Sequence, residues 1–273
     1  MKKIFNLRGG RKLEVGGKTL VMGILNVTPD SFSDGGKYIS VEAATNHAAE
    51  LIADGADIID IGAESTRPGF VPVDAKTEIA RLEKILPAVK NLGAVVSVDT
   101  SKPEVAEFAL KNGADILNDV SGTMFDVAKK FGAPIIAMHN QKISSDIVYD
   151  IKNFFRRNLR DDVQVIFDVG IGFGKTQEEN LTVLRNLREL KKIDGVEIPL
   201  LLGVSRKSVI GYATGLAVDQ RDEATGAICV LAAAQGVNIF RVHNVKIAAR
   251  MCRMADVLLR GDWNERQNQY HGD

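Results

Sequence analysis

Two cysteines in 273 residues, Cys229 and Cys252, are too few for a disulfide framework. Both lie in apolar stretches with helical spacing and read as buried thiols of a reducing compartment. No run of 18 apolar residues occurs, so no segment reads as a bilayer-spanning helix. The start, Met1-Lys2-Lys3-Ile4-Phe5-Asn6, is charged and lacks the apolar stretch of a signal peptide. Excess charge is missing too: 35 basic and 35 acidic side chains cancel. That balance removes any general pull toward nucleic acid or membrane surfaces, while local basic clusters could still hold an anionic small molecule. Linkers and low-complexity tracts are also absent. What remains is a cytoplasmic globular protein, read as one domain over 1–273, without nucleic acid or membrane as partner.

What is present is a repeated alternation. Short apolar runs occur at Leu20 to Leu25, Ile58 to Ile61, Val95 to Val98, Asp115 to Leu117, Pro134 to Met138, Val165 to Phe167, Leu200 to Val204 and Asn238 to Val242. Each is nearly continuous in apolar character, as parallel strands buried on both faces require. Helical spacing fills the intervals: Val41 to Asp54, Asp74 to Leu92, Lys102 to Asn112, Thr123 to Phe131, Ser144 to Leu159, Gln177 to Leu190, Asp222 to Gln235 and Val245 to Leu259. Ser101-Lys102-Pro103-Glu104 and Thr176-Gln177-Glu178-Glu179 both fit capping boxes at helix starts. Eight such pairs over a chain of this length predict an α/β (β/α)8 barrel, a TIM barrel. The rival, a doubly wound sheet, needs a Gly-rich phosphate turn after its first strand, and Asn26 to Gly36 is not one. Residues 4–19 read as a short hairpin before the barrel, and 262–273 as a polar tail.

In a barrel the chemistry sits on loops following the carboxyl ends of the strands. Here every strand candidate delivers polar groups to that rim. The loops carry N-V-T-P-D-S-F-S-D-G-G from Asn26, and Glu64-Ser65-Thr66-Arg67-Pro68-Gly69. Later strand ends bring Asp99, Asn118-Asp119, His139, Asp168 with its glycine run, Ser205-Arg206-Lys207-Ser208, and Arg241 with His243. Bland readings stand beside these. Asp99 and Asn118 could be helix N-caps, Asp168 a turn residue, and His139 a strand cap bonding backbone. Lys207 could be solvated charge, and His47 a surface residue. Arg241 and His243 share one strand face, and a buried arginine there without an anion would be expensive. Together the groups form two poles. Asp99, Asn118 and Asp168 are acceptors suited to a flat heterocycle with a donor-rich edge, with Lys207 as donor to a ring carbonyl. Arg67, Arg241 and His243 form a cationic pole, with Asn26 offering oxygen to a hard metal ion.

At this point the chain resembles the dihydropteroate synthase family of pterin-binding barrels. The motifs carrying the resemblance run in the family's order across about Leu20 to Leu259. They are M-G-I-L-N-V-T-P-D-S-F-S-D-G-G (Met22 to Gly36), D-I-G-A-E-S-T-R-P-G (Asp60 to Gly69), S-V-D-T (Ser97 to Thr100) and N-D-V-S-G (Asn118 to Gly122). The series closes with G-I-G-F-G-K (Gly170 to Lys175), S-R-K-S (Ser205 to Ser208) and R-V-H (Arg241 to His243). The first two are highly specific.

The resemblance implies condensation of a hydroxymethyl-dihydropterin diphosphate with 4-aminobenzoate, releasing diphosphate. It implies that Asp99, Asn118, Asp168 and Lys207 hold the pterin, bordered by Met138 and Phe173. Thr66, Arg241 and His243 would take the diphosphate, with Asn26 near Mg²⁺. Asp30, Phe32 and Asp34, with Ser65, Arg67 and Pro68, would close over the site. Ser208 and Lys207 would border the aminobenzoate carboxylate. Asp34 or Asp99 would oppose positive charge developing at the pterin methylene. A homodimer through outer helices is likewise implied.

Two departures stand out. Val169 replaces the family's usual proline, and the stretch Gln141 to Asp161 is short, which leaves the fifth helix's bounds open. Alternatives are a methyltetrahydrofolate methyltransferase domain, which explains neither long loop, and an inactive pterin-binding homologue, which should have lost Asn26, Arg67, Lys207 or Arg241.

Overall fold

A computed structural model describes residues 2–28, 40–64 and 72–261. An antiparallel hairpin comes first, β1 (Lys3–Asn6) and β2 (Lys12–Val15), with Lys3 opposite Val15. Strands and helices then alternate: β3 (Leu20–Asn26), α1 (Val41–Ala53), β4 (Ile58–Gly62), α2 (Ala75–Lys90), β5 (Val95–Thr100), α3 (Pro103–Lys111) and β6 (Ile116–Asp119). There follow α4 (Phe125–Phe131), β7 (Ile135–Met138), α5 (Ile147–Asn158), β8 (Val165–Asp168), α6 (Gln177–Arg185) and α7 (Leu187–Leu190). A two-stranded ribbon, β9 (Lys192–Ile193) and β10 (Val196–Glu197), precedes β11 (Leu200–Leu202). The described part ends with α8 (Ser208–Thr214), α9 (Asp222–Ala234), β12 (Ile239–Val242) and α10 (Val245–Arg260).

Eight parallel strands close into a barrel in the order β11-β12-β3-β4-β5-β6-β7-β8, so the predicted (β/α)8 fold is borne out. Period-two alternation divides each strand's side chains between two environments. Outward residues such as Val21, Leu25, Ile59, Ile61, Val96 and Val98 pack against the helices in one continuous core. Inward residues at the amino ends, Met22, Ile58, Ile116, Ile136, Ile166, Leu201 and Ile239, form a separate cluster with Phe5, Leu7, Leu13 and Val15 of the hairpin. The hairpin therefore stoppers the amino-terminal mouth with apolar side chains, each contributing on the order of 1.5–3 kcal/mol. Arg11 latches it there: its guanidinium meets the buried Asp115 at 2.5 Å and donates to Ala94 O at 3.2 Å.

The helix starts divide between expectation and correction. Thr176 and Glu179 form a reciprocal capping box at α6, as predicted. The Ser101 box does not form. Lys102 is the N-cap of α3 and makes no side-chain cap bond, since an ammonium has no acceptor for helix N–H groups; it pairs with Glu64 at 2.9 Å and with Glu78. Helix α5 starts at Ile147, after Asp146, whose carboxylate accepts from the N–H groups of Val148 and Tyr149. The β9–β10 ribbon and α8 are additional to the sequence reading. Asp194-Gly195, both at positive φ (50° and 83°), is the turn that forms the ribbon.

Candidate functional site

Strand register sets the polar residues side by side at the carboxyl-terminal mouth. Asn26 pairs with Gly62, Gly62 with Asp99, Asp99 with Asn118, and Met138 with Asp168. Gly62 matters here, because a Cβ would sit 3.4 Å from Asn26 Oδ1 and 3.9 Å from Asp99 Oδ2. Its missing side chain leaves room between an amide oxygen and a carboxylate. Asp99 and Asn118 are not N-caps: they lie inside β5 and β6, both buried. The next residue, Asp119, faces the other way and accepts from the N–H groups of Ser121 (2.9 Å) and Met124 (2.7 Å). Alternation thus assigns one of the Asn118-Asp119 pair to the cavity and the other to its loop.

The centre of the cluster is an arginine between two acids. Arg241 Nε donates to Asp60 Oδ2 at 2.6 Å, and its Nη2 donates to Asp99 Oδ2 at 2.6 Å. Asn118 Nδ2 donates to the same Asp60 oxygen at 3.0 Å. Burial opposes the arginine's charge, but Asp60 and Asp99 outweigh it and raise its pKa. Burial pushes Asp99 up from 3.8 to about 7 despite the guanidinium, helped by the like charge of Asp60. Asp168 is also pushed up by burial, against the pull of Lys207 and of the Gly170 N–H that its Oδ1 accepts at 2.8 Å. Asp168 is therefore a turn residue whose carboxylate also stands at the inward face of the barrel.

Lys207 points inward while its neighbour Arg206 does not. Arg206 reaches Asp222 of α9 through two bonds of 2.7 Å, which pins the loop from outside. Lys207 donates to Ile171 O and lies 4.6 Å over the Phe173 ring. Burial lowers it to about 8, opposed by Asp168 and Asp99. Phe173 and Ile171 belong to the glycine-rich turn after β8, which Lys175 ties together through the carbonyls of His139 (3.1 Å), Gly170 (2.8 Å) and Phe173 (3.0 Å). Gly170, at φ +66°, is required there because a Cβ would overlap His139 O.

Met138 is buried at the end of β7, opposite Asp168. Ser208 is exposed at the start of α8, where its hydroxyl accepts from Gln177 at 3.1 Å. His243 extends β12's inward face. Ser205 Oγ accepts its backbone N–H at 3.1 Å and lies 3.0 Å from its Nδ1. His139 packs edge-on against Phe154, and burial drops it to about 4, so it stays neutral at pH 7. His47 meets Glu50 of its own helix at 3.2 Å, on the surface as expected.

Asp30, Phe32, Asp34, Ser65, Thr66, Arg67 and Pro68 lie outside the described residues. Two residues with clear roles were not singled out from sequence. Lys175 carries only a terminal-position signal in its motif. Asp60 could have been found: a lone charge inside the apolar run I-I-D-I-G, on the same face as Ile58 and Gly62, has nowhere to go but the barrel interior.

Comparisons with known proteins show the family. The family of pterin binding enzymes matches residues 22–243. The dihydropteroate synthase of Clostridium beijerinckii is 42% identical over 268 residues, 92% of this chain and 98% of its own. The chain belongs to the dihydropteroate synthases. Among solved structures, that of the Xanthomonas albilineans enzyme with 4-aminobenzoic acid superposes with a TM-score of 0.85 at 34% identity, covering 94% of this chain and 98% of that one. The Thermus thermophilus enzyme in complex with 6HMPPP gives 0.80 at 38% identity, covering 94% and 100%. Membership removes the methyltransferase alternative. Val169 is fully buried next to Asp168.

Proposed function

We propose that this chain condenses 6-hydroxymethyl-7,8-dihydropterin diphosphate with 4-aminobenzoate, giving 7,8-dihydropteroate and diphosphate in folate biosynthesis. The observation that carries the reading is the cluster of Asp99, Asn118 and Asp168 on the inward face at the carboxyl-terminal ends of their strands, with Lys207 over Phe173. Acceptors of that kind suit the amino and ring N–H edge of a pterin, and the ammonium suits its carbonyl. Phe173 and Met138 border the ring. Arg241 and His243, with Thr66, bind the diphosphate at the lip. Ser208 and Lys207 border the aminobenzoate carboxylate, and Asp30, Phe32, Ser65, Arg67 and Pro68 close over both substrates.

An arylamine is already neutral near pH 7, so attack needs no strong base. What needs stabilising is the departing diphosphate and the electron-poor methylene, through a dissociative substitution opposed by Asp34 or Asp99. Mg²⁺ fits the donor set. Asn26 offers a hard amide oxygen beside the gap at Gly62. Mg²⁺ keeps several waters and takes substrate phosphate oxygens, so one protein ligand suffices. When bound, it would neutralise charge on the leaving diphosphate.

The chain acts in the cytoplasm as one barrel domain, with no nucleic acid or membrane partner; no helix among the described residues is long and apolar enough to cross a membrane. It acts as a homodimer. After Glu223, α9 bears no charge, and Leu231 on it, with Met254 and Leu258 on α10, is more than half exposed. An outer helix apolar all round implies a partner surface.

Purified protein is expected to release diphosphate only when 4-aminobenzoate is supplied. Release without the arylamine, or none with it, would overturn the reading. The pH profile of kcat/KM for the pterin substrate is expected to be a narrow bell. It rises as Asp99 loses its proton near 7 and falls as Lys207 loses its own near 8. A profile flat from about pH 6 to 9 would show that ionisation of neither group in the free enzyme governs reaction with the pterin substrate.

A further inference from the structure

Asp60 sits beneath the ring-binding residues, fully buried in the middle of β4. A single oxygen, Oδ2, takes both of its side-chain bonds, from Asn118 Nδ2 at 3.0 Å and Arg241 Nε at 2.6 Å. The other oxygen, Oδ1, has no partner among the described residues. A buried carboxylate using half its capacity is a poor way to stabilise a fold. The outward neighbours Ile59 and Ile61 show what stability alone would select on this strand.

We propose that Asp60 is the positioning residue of the ring site, orienting Asn118 and Arg241 so that the pocket selects heterocycles presenting N–H donors. The inference rests on the pterin reading above. A carboxylate paired with a guanidinium can only accept, so it meets the amino end of the Asn118 amide and no other. That fixes the flip of Asn118 and leaves its Oδ1 as the acceptor on offer. With Asp99 and Asp168, the pocket then shows three acceptors. Were the amide reversed, it would show a donor to the donor edge of the ring, and the match would be lost.

Arg241 is fixed by the same logic. Its Nε is committed to Asp60, which brings Nη2 to Asp99. Asp60 is wholly inaccessible, whereas Arg241 is 19% exposed and Asp99 9%. An incoming ligand can compete for the Asp99 end of the guanidinium but cannot reach the Asp60 end. Asp60 is thus a pivot that persists while the other bonds exchange.

The test uses Asp60→Leu, which removes the acceptor while keeping the branching at Cγ, and Asp60→Asn, which restores an acceptor without charge. Binding of 6-hydroxymethyl-7,8-dihydropterin diphosphate and of its analogue lacking the 2-amino group is measured by calorimetry, and steady-state constants are taken alongside. Asp60→Leu is expected to lose about 30-fold in pterin affinity and about tenfold in discrimination against the analogue, since the orienting bonds are gone. The KM for 4-aminobenzoate should stay within about twofold, and Asp60→Asn should recover most of both losses. A purely structural role would lower the melting temperature and active fraction while leaving affinity and discrimination alone. That pattern overturns the proposal. If Asp60→Leu fails to fold, Asp60→Ala decides: about a tenfold loss of pterin affinity supports the pivot, and no loss refutes it. Failure of the unaltered protein to bind the pterin would instead sink the functional reading beneath it.

Discussion

Lys207→Ala is expected to weaken binding of the pterin substrate about 100-fold, about 2.7 kcal/mol, without unfolding the protein. The ammonium is held by the Ile171 carbonyl and by the Phe173 face, so it reaches the cavity in one fixed position. Removing it deletes the donor for the ring carbonyl and a cation–π contact worth roughly 0.5–2 kcal/mol. It also withdraws the charge that opposes burial of Asp168 and Asp99, so both carboxyls hold their protons to higher pH and accept less well. The fold should survive because Lys207 caps α8 through backbone alone and the loop is anchored independently by Arg206 and Asp222. Lys207→Arg should not rescue, since a planar fork cannot replace a compact point donor beneath Phe173. Calorimetry gives the affinity and a melting curve the fold. Unchanged affinity would remove Lys207 from the pocket.

The second large effect is on stability. Arg241→Met is expected to cost about 3–5 kcal/mol at pH 8, a drop of roughly 10 °C in melting temperature. The substitution keeps the stem volume but leaves Asp60 and Asp99 buried together with no cation between them. The sign of the pH dependence follows from protons bound. Asp99 already ionises near 7 in the folded protein against 3.8 unfolded, and loss of the guanidinium moves the folded value higher. Between those two values the folded state binds more protons than the unfolded, so stability falls as pH rises through the window. The variant should therefore recover part of its deficit at pH 5. Adding Asp99→Asn should be less than additive with Arg241→Met, because the two sites share one interaction. A deficit below about 1 kcal/mol, or one identical at both pH values, would mean that water screens the pair in place of the arginine.

How much of this was legible beforehand differs between fold and site. The eight barrel strands were readable because each is an apolar run buried on both faces, a pattern that survives without knowledge of neighbours. The α6 capping box was readable because it is local. The Ser101 box misled for the same reason: its motif is local, but Glu64 and Glu78, distant in sequence, drew Lys102 into another arrangement. The ribbon at Asp194-Gly195 carried a turn signal that its two-residue strands were too short to support.

Within the site, the rim residues Asp99, Asn118, Asp168, Lys207 and Arg241 followed from strand ends. Their pairing did not. Sequence suggested that Arg241 needs an anion, and the structure supplies two from its own chain, Asp60 and Asp99. Closure of the barrel brings β12 beside β3, one strand from β4, a juxtaposition no local pattern announces. Likewise nothing local distinguishes Arg206 from Lys207, since only the position of Asp222 on α9 decides which of them turns outward.

The hairpin at the amino-terminal mouth has a consequence for traffic. With Phe5, Leu7, Leu13 and Val15 packed into the base, a small molecule reaches the inward polar groups of the strand ends from the opposite rim.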